Sequence, residues 1–253
     1  MELANRTLLI SGGSSGLGAA CAAHLAAAGA NIVIADLAPP AAFPPDHAAR
    51  MIFVRTDVTS EDDVRAAIDQ GRQRFGGLSG AVCCAGILHA ERVLGREGPA
   101  NLAAFKKVLE VNVAGTFNVA RLAAEAIAKS EPDGEGERGV LVFTASVAAF
   151  DGQIGQASYA ASKGAVASLV LPLARELARV GIRVLAIAPG VFETPMMQAA
   201  PEKVRQSLMD QTPFPPRFGR PEEFAALVQT IFENRMLNGT TLRLDGALRM
   251  GAK

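Results

Sequence analysis

The chain has 253 residues, 49% of them hydrophobic and 20% charged, so it can bury a sizeable core and lacks the composition of a disordered protein. Its 25 basic and 25 acidic side chains cancel, which argues against nucleic acid as a main partner because phosphate binding needs clustered positive charge. No apolar run reaches the roughly 18 residues that span a bilayer, so we expect no membrane association.

Short apolar segments alternate with segments of helical period throughout the chain. Strands are expected, in chain order, at "TLLIS" (7–11), "NIVIAD" (31–36), "MIFVRTDV" (51–58), "LSGAVCCAG" (78–86), "GVLVFTAS" (139–146), "IRVLAIAPG" (182–190) and "TLRLDG" (241–246). Helices are expected at 16–29, 60–76, 101–129, about 157–179 and 221–233. This alternation predicts an α/β fold with a doubly wound parallel sheet and helices on both faces.

The composition does not change along the chain, so residues 1–253 are expected to form a single domain. The one long irregular segment, an insertion at about 193–217, is expected to be a lid or a binding segment. The flexible apolar side chains near it suit either an adaptable pocket or ordinary loop packing. They are Phe192, Met196, Met197, Leu208, Met209 and Phe214.

The turn "SGGSSGLG" joins the first strand to the first helix. Gly12, Gly16 and Gly18 would let the backbone approach a pyrophosphate at the helix N-terminus, although a plain tight turn would look similar. Asp36 ends the second strand, where a carboxylate accepts hydrogen bonds from a ribose 2′-OH and repels a 2′-phosphate. No Arg stands near Asp36 in the sequence, and a solvated loop residue is the alternative. The glycines and Asp36 together favour NAD over NADP.

Two further strand ends predict contacts with a bound dinucleotide. Asp57 in "TDVT" could bond an adenine amino group while the Val58 backbone faces the ring, and a helix N-cap is an equal alternative for Asp57. The small residues of "CCAG" would let a cofactor pass close to the backbone, or they are plain strand packing. The residues concerned are Cys84, Ala85 and Gly86.

Tyr159 is the only tyrosine, and Lys163 follows it by one helical turn in "ASYAASKGAV". An ammonium on the same helix face would lower the pKa of a phenol from about 10, which makes Tyr159 a candidate general acid/base for an alcohol–carbonyl pair. Ser146 could stabilise charge on the substrate oxygen, and Asn112, a poor helix former inside a helix pattern, could hold a water. A packed helix face is the alternative for an isolated Tyr–Lys pair.

The motifs "SGGSSGLG", "DVT", "NVAG", "TAS", "YAASK" and "APG" followed by "FETP" occur in order, and the chain resembles the short-chain dehydrogenase/reductase family from end to end. The resemblance implies a Rossmann-type fold, the catalytic set Asn112, Ser146, Tyr159 and Lys163, and Gln156 in a substrate pocket beside Ser146 and Tyr159. Together the residues and the resemblance give an expected set of NAD contacts. It comprises Gly12, Ser15, Gly16, Leu17, Gly18, Asp36, Asp57, Val58, Cys84, Ala85, Gly86, Tyr159, Lys163, Pro189, Phe192 and Thr194.

Within the family, "TASVAAFDGQIGQASYAASKGAVASLVLPLAREL" and "NGTTLRLDGALRM" resemble members that interconvert 3-hydroxyacyl-CoA and 3-oxoacyl-CoA with NAD. That reaction is the expected function. A steroid or simple secondary-alcohol dehydrogenase and a 3-oxoacyl-carrier-protein reductase stay open as alternatives. Kinship also implies a homotetramer. Solvated charge is the favoured interpretation of the basic loop residues, with CoA phosphate contacts as the alternative; these residues are Lys203, Arg205, Arg217 and Arg220.

The chain departs from the family pattern at Cys83 and Cys84, where two Asn residues are usual, so a side chain that supports the central strand is missing. With Cys21 the cysteines are odd in number and two are adjacent, which predicts neither a disulfide framework nor a zinc site. The first strand begins too near the start of the chain for a cleaved signal sequence. We therefore expect a cytoplasmic protein without a bound metal.

Overall fold

The computed structural model of the protein describes residues 1–198 and 202–252, except for the side chains of Met196, Gln198, Lys203 and Val204. In this part of the chain the strands form one sheet in the order β3-β2-β1-β4-β5-β6-β7, and every pair is parallel. The predicted parallel sheet is thereby confirmed. The strands are Thr7–Ser11 (β1), Asn31–Asp36 (β2), Met51–Arg55 (β3), Gly80–Cys83 (β4), Gly139–Thr144 (β5), Ile182–Pro189 (β6) and Thr241–Leu244 (β7).

Helices cover both faces of the sheet, as the alternating pattern predicted. On one face, Val64, Val119 and Val166 of three different helices share a buried cluster with the sheet, and on the other Leu25 and Phe224 do so. Burying one such side chain stabilises the fold by about 1.5–3 kcal/mol. The helices are Gly16–Ala27 (α1), Glu61–Phe75 (α2), Leu102–Leu109 (α3), Thr116–Ala128 (α4), Ala157–Leu177 (α5), Pro195–Gln198 (α6), Glu202–Asp210 (α7) and Pro221–Glu233 (α8).

The sheet order creates a crevice at the carboxyl ends of β1 and β4. Strand β1 pairs with β2 on one side and β4 on the other, so the chain direction across the sheet reverses at this point. Every residue of both strands is buried, because helices pack on each face, and this explains their unbroken apolar sequences. Ligands of open α/β sheets bind at such a reversal point.

Local signals set the ends of α2 where the sequence predicted them. The Ser60 side chain accepts a hydrogen bond from the Asp63 N–H at 3.2 Å, and the acidic first turn complements the helix dipole. Gly76 ends the helix in the left-handed conformation.

Two predicted segments differ from the observed ones. The segment 101–129 is not one helix, because a π-helical turn at Glu110–Gly115 separates α3 from α4. The insertion at 193–217, predicted to be irregular, contains α6 and α7. Pro195 and Glu202 begin these helices, where a residue without an N–H and a negative charge are both favourable.

No helix within the described ranges combines the length and apolar character needed to cross a membrane. Residues 1–198 and 202–252 also contain no group of three or more His, Cys, Asp or Glu side chains arranged to hold a metal ion. The three cysteines are present as free thiols.

Candidate active site

The predicted site residues lie around the edge of the sheet where its parallel strands end. Asp57 and Val58 follow β3, Asp36 ends β2, and the turn with Gly12, Ser15, Gly16, Leu17 and Gly18 joins β1 to α1. Cys84, Ala85 and Gly86 follow β4, Ser146 follows β5, and Pro189, Phe192 and Thr194 end or follow β6. Asn112 is in the π turn, Gln156 precedes α5, and Tyr159 and Lys163 lie in its first two turns.

The glycine turn is packed so closely that its backbone forms a cradle. At Gly12, φ is +67° and an added Cβ would lie 2.6 Å from the Ala85 nitrogen. A Cβ at Gly18 would overlap the Gly12 carbonyl. The N-cap residue Ser15 does not cap α1 with its side chain, so the first N–H groups of the helix are available to phosphate oxygens. These features fit the pyrophosphate of a dinucleotide.

Asp36 lies against the glycine turn. Its carboxylate accepts hydrogen bonds from the Ser14 N–H at 3.0 Å and the Leu37 N–H at 2.7 Å, which fixes both oxygens beside the cradle. The sequence showed no nearby Arg, but strand pairing sets Arg55 of β3 directly beside Asp36. Residues in register on neighbouring strands point to the same face of a sheet. Arg55 is therefore a neighbour of Asp36 in space that chain proximity did not show, and its charge helps to lower the pKa of Asp57.

The segment after β3 is held by its own polar groups. Asp57 Oδ1 accepts hydrogen bonds from the Thr59 N–H and hydroxyl, and these bonds lower the pKa of the carboxyl group. Asp57 is not the helix N-cap, since Ser60 has that place. The Val58 side chain is buried and its carbonyl accepts from Asn118, so only the remaining backbone of Val58 could face a ligand.

Asn112 is buried and joins three parts of the site. Its Oδ1 accepts from the Ile87 N–H at 2.8 Å, and its Nδ2 donates to the Ile87 carbonyl and to Ser162 Oγ, each at 2.9 Å. Ser162 Oγ in turn donates to the Tyr159 carbonyl at 2.7 Å. The side chain thus fixes the turn after β4 to the start of α5, and leaves one oxygen lone pair for a water. The sequence analysis missed Ser162, although it stands between Tyr159 and Lys163.

The buried side chain of Lys163 extends to the carboxyl end of β5. The side chain is 5% exposed, and Nζ donates to the Thr144 carbonyl at 2.7 Å. Desolvation lowers the pKa of Lys163 to about 8, partly opposed by nearby Cys84 and Cys83. A Cβ at Gly86 would lie 3.6 Å from Nζ and 3.2 Å from Asn112 Oδ1, so the small residue keeps this space open.

Tyr159 is half-buried beside Lys163, whose Nζ lies 5.7 Å from the ring centroid. The expectation that the ammonium lowers the pKa of the phenol was wrong for this state. Desolvation raises the pKa of Tyr159, and the interaction with Ser146 offsets only part of that rise. The reason is that Lys163 donates to a backbone carbonyl rather than to the phenol oxygen. Tyr159 is accordingly a protonated phenol, suited to donate a proton.

Ser146 is the N-cap of the short 3₁₀ turn Val147–Ala149 that follows β5. Its Oγ accepts a hydrogen bond from the Ala148 N–H at 3.1 Å, which leaves the hydroxyl hydrogen to donate elsewhere. The residue is buried near Tyr159. A serine oxygen fixed in this way could donate to a substrate oxygen while the phenol transfers a proton.

Burial of Lys163 predicts a pH-dependent stability. The unfolded chain keeps the lysine proton to its ordinary pKa of 10.5, whereas the folded protein releases it above about 8. The unfolded state binds more protons in this window, so the free energy of unfolding rises with pH. We expect Lys163 to contribute a rise of about 2 kcal/mol between pH 8 and pH 10. Urea unfolding of wild type and Lys163→Met at both pH values measures it; equal rises in the two proteins would contradict it.

A cleft of about 620 Å³ opens beside the start of α5. Gln156 lines it, and its Oε1 accepts a hydrogen bond from the Gln153 N–H at 3.1 Å. The other wall comes from Arg92, Val93 and Leu94, which no sequence motif indicates. The sequence gives little indication of these residues, because they lie in an irregular segment without a motif. The cleft offers an apolar surface with one cation at its rim.

Residues 6–205 match the sequence model of the family described as short chain dehydrogenase. The chain belongs to the short-chain dehydrogenase family. A 3-hydroxyacyl-CoA dehydrogenase type-2 from Drosophila melanogaster is 49% identical over 252 residues, covering 97% of this chain and 98% of its own. A protein of that name from Bos taurus is 50% identical over 248 residues, with 96% and 94% covered. The crystal structure of 3-hydroxyacyl-CoA dehydrogenase type-2 from Mycobacterium avium superimposes with a TM-score of 0.94 at 44% identity, covering 98% of each chain.

Membership of the short-chain dehydrogenase family makes this chain an oxidoreductase that uses a nicotinamide cofactor. The glycine cradle, the carboxylate of Asp36 and the open space at Gly86 are compatible with such a dinucleotide. Thr194 also borders the cradle, since its Cγ2 would lie 3.7 Å from a Cβ added at Gly16.

The apolar side chains of the segment after β6 have different surroundings. The Phe192 side chain is buried, packs edge-on against Phe224 and contacts Gly219, so only its backbone could meet a cofactor. Phe214 is 78% exposed, whereas Leu208 is buried. The side chain of Met196 lies outside the described residues.

The basic residues of the insertion are mostly engaged with carboxylates. Arg217 makes two hydrogen bonds to Glu223, at 2.7 and 2.9 Å, and Arg205 pairs with Glu202 at 3.3 Å. The side chain of Lys203 lies outside the described residues. This supports the interpretation of these charges as solvated ion pairs, and it makes Arg92 the better candidate for a ligand anion.

Proposed function

We propose that the protein is an NAD-dependent dehydrogenase that interconverts 3-hydroxyacyl-CoA and 3-oxoacyl-CoA. The observation that carries the proposal is the near-complete match, at about half identity, to proteins named 3-hydroxyacyl-CoA dehydrogenase type-2. Two features support it: Lys163 Nζ lies near Gly86 in the segment after β4, and Gln156, Ala157 and Ala160 at the start of α5 line the apolar cleft. Steroid and simple-alcohol substrates are less favoured by the same comparison.

In this proposal the chain's own residues position the substrate and move its proton. The bound nicotinamide would supply or accept the hydride. The Ser146 hydroxyl donates to the substrate oxygen, and Tyr159 donates its proton to that oxygen in reduction and takes it back in oxidation. Lys163 lies beside the phenol, with Nζ 5.7 Å from the ring centroid, and would hold the ribose of the bound nicotinamide nucleotide. Asn112 holds the two segments in register through Ile87 and Ser162.

The acyl group would occupy the cleft, and the CoA phosphates would meet its rim. Val93, Leu94 and Ile154 are more than half exposed, which gives an apolar surface for an alkyl chain. Arg92 is the cation of the cleft lining. We infer in addition that residues 1–253 form one domain, that the protein is a cytoplasmic homotetramer, and that its partners are small molecules rather than nucleic acid or membrane. Light scattering after size exclusion tests the assembly.

The direct experiment follows the absorbance of reduced nicotinamide with acetoacetyl-CoA, using NADH and NADPH in parallel. We expect rapid oxidation of NADH and slow oxidation of NADPH. If the protein binds NADH but reduces only steroid or simple ketones, the cofactor assignment stands and the assignment of an acyl-CoA substrate is wrong. Preference for NADPH would overturn the assignment of Asp36.

Asp36 and Arg55 together predict how cofactor preference can be changed. Asp36→Ala removes the carboxylate that repels a 2′-phosphate and leaves Arg55 beside the vacated position. We expect kcat/KM for NADPH to rise roughly 100-fold, since like charges brought together cost several kcal/mol. Adding Arg55→Ala should remove most of that gain, and Arg55→Ala alone is the matched control. Equal NADPH activity in Asp36→Ala with and without Arg55 would contradict a role for the arginine.

A further inference from the structure

The bridging segment, residues 249–252, follows β7 and lies between two parts of the chain that are distant in sequence. Gly251 donates its N–H to Gln211 Oε1 at 3.0 Å, and its carbonyl accepts from Gln153 Nε2 at 3.2 Å. Gln211 follows α7 in the insertion, whereas Gln153 lines the cleft. Both backbone groups of one glycine therefore join the insertion to the wall of the cleft.

The hydrogen bonds continue from both glutamines into the elements behind them. Gln153 donates its N–H to Gln156 Oε1 at 3.1 Å, and Gln156 precedes α5 and lines the same cleft. On the other side, Gln211 Nε2 donates to the Ser207 carbonyl of α7 at 3.1 Å. A continuous chain of hydrogen bonds thus runs from the cleft through the bridging segment to α7.

The residue before the bridging segment is firmly held, whereas the far part of the segment is not packed. Leu248 is fully buried, and its carbonyl accepts from Arg243 Nη2 at 2.9 Å. Gly251 and Ala252 are exposed, and Ala252 accepts from the Ile154 N–H at 3.0 Å. Exposed backbone without buried apolar side chains opens at little cost in free energy. Hydrogen bonds to the insertion and to the cleft wall therefore decide where these two residues lie.

We propose that Gln153 and Gln211 are positioning residues, which set the affinity for the acyl-CoA substrate by tying the insertion to the wall of the cleft through Gly251. The insertion also reaches the cradle, since Thr194 borders Gly16. An insertion fixed in this way keeps the substrate side of the site in one arrangement before the ligand arrives, which lowers the ordering cost of binding. The choice of acyl-CoA as the ligand rests on the proposed function, whereas the link through Gly251 does not.

Initial rates with acetoacetyl-CoA and NADH, together with NADH binding, test the proposal. Gln211→Ala and Gln153→Ala each remove one bond to Gly251, and each should raise the KM for acetoacetyl-CoA about fivefold, the factor expected for one hydrogen bond. The kcat and the Kd of NADH should stay within about twofold of wild type. Since either change breaks the link, the double variant should also show a rise of about fivefold, and not the roughly 25-fold of independent effects.

The two Glu variants should give opposite results, because the glutamines have opposite roles toward Gly251. Gln211 is the acceptor, so Gln211→Glu keeps the bond and should keep the KM near that of wild type. Gln153 is the donor and a carboxylate cannot donate, so Gln153→Glu should match Gln153→Ala. Gln206→Ala is the matched control, since Gln206 lies in α7 and bonds to Asp210 of the same helix. It should behave as wild type.

Hydrogen exchange of the protein without ligands tests the link independently of the substrate. Gln153→Ala should speed exchange of the α7 amides, although Gln153 is joined to that helix only through Gly251 and Gln211 within the described residues. Unchanged α7 exchange, a KM within about twofold of wild type in both Ala variants, or an equal effect of Gln206→Ala would overturn the proposal. If wild type does not turn over acetoacetyl-CoA, the proposed function is wrong, while exchange in α7 still decides whether the link exists.

Discussion

Tyr159→Phe is expected to lower kcat/KM with acetoacetyl-CoA and NADH by roughly 1,000-fold, within the range usual for loss of a general acid. The variant removes one oxygen and keeps the ring, whose face lies 5.7 Å from Lys163 Nζ. Because burial raises the pKa of Tyr159, the substitution removes the proton donor itself rather than a group that orients it. Packing is retained, so stability should change by less than about 1 kcal/mol.

The measurement pairs initial rates with NADH binding followed by fluorescence. Ser168→Ala is the matched control, since it removes a hydroxyl from the exposed side of the same helix. It should behave as wild type in both assays. A Tyr159→Phe protein that binds NADH normally and retains more than about a tenth of wild-type turnover would show that another group supplies the proton.

Gly12→Ala is expected to abolish useful cofactor binding and to destabilise the fold. The position combines φ of +67° with an added Cβ only 2.6 Å from the Ala85 nitrogen and 2.8 Å from its Cα. Left-handed strain costs about 1–2 kcal/mol, and overpacking against backbone costs about 1–3 kcal/mol more. We therefore expect a loss of roughly 3 kcal/mol in the free energy of unfolding, and a rise in the NADH Kd of at least about 100-fold.

Substitutions at two other glycines separate the backbone strain from the steric clash. Urea unfolding and NADH titration are the measurements. Gly16→Ala meets nothing closer than 3.7 Å but has φ of +52°, so it should show the strain with little of the clash. Gly77→Ala has open space around it and should leave both measurements unchanged. A Gly12→Ala protein with NADH affinity within threefold of wild type would mean that the turn is not the cradle for the dinucleotide.

The same residues show which features the sequence could predict. The seven strands and most of the helices followed from apolar runs and helical periodicity, which are local properties of the chain. The glycine turn was predictable because steric limits on φ act within a few residues. The placement of Tyr159 and Lys163 on one helix face followed from a spacing of four. The break at Asn112 was not predicted, since the π turn depends on contacts with Ile87 and Ser162.

The electrostatic surroundings of Asp36 and Tyr159 depend on the tertiary structure and could not be predicted from the sequence. Arg55 lies next to Asp36 because β2 and β3 pair, and strand pairing brings together positions that are distant in the chain. The pKa of Tyr159 depended on the desolvation of its whole surroundings and on Lys163 donating to Thr144 instead. Periodicity sets which face of an element is buried, but the neighbours across that face are set by sheet order, and these neighbours determine the electrostatics of the site.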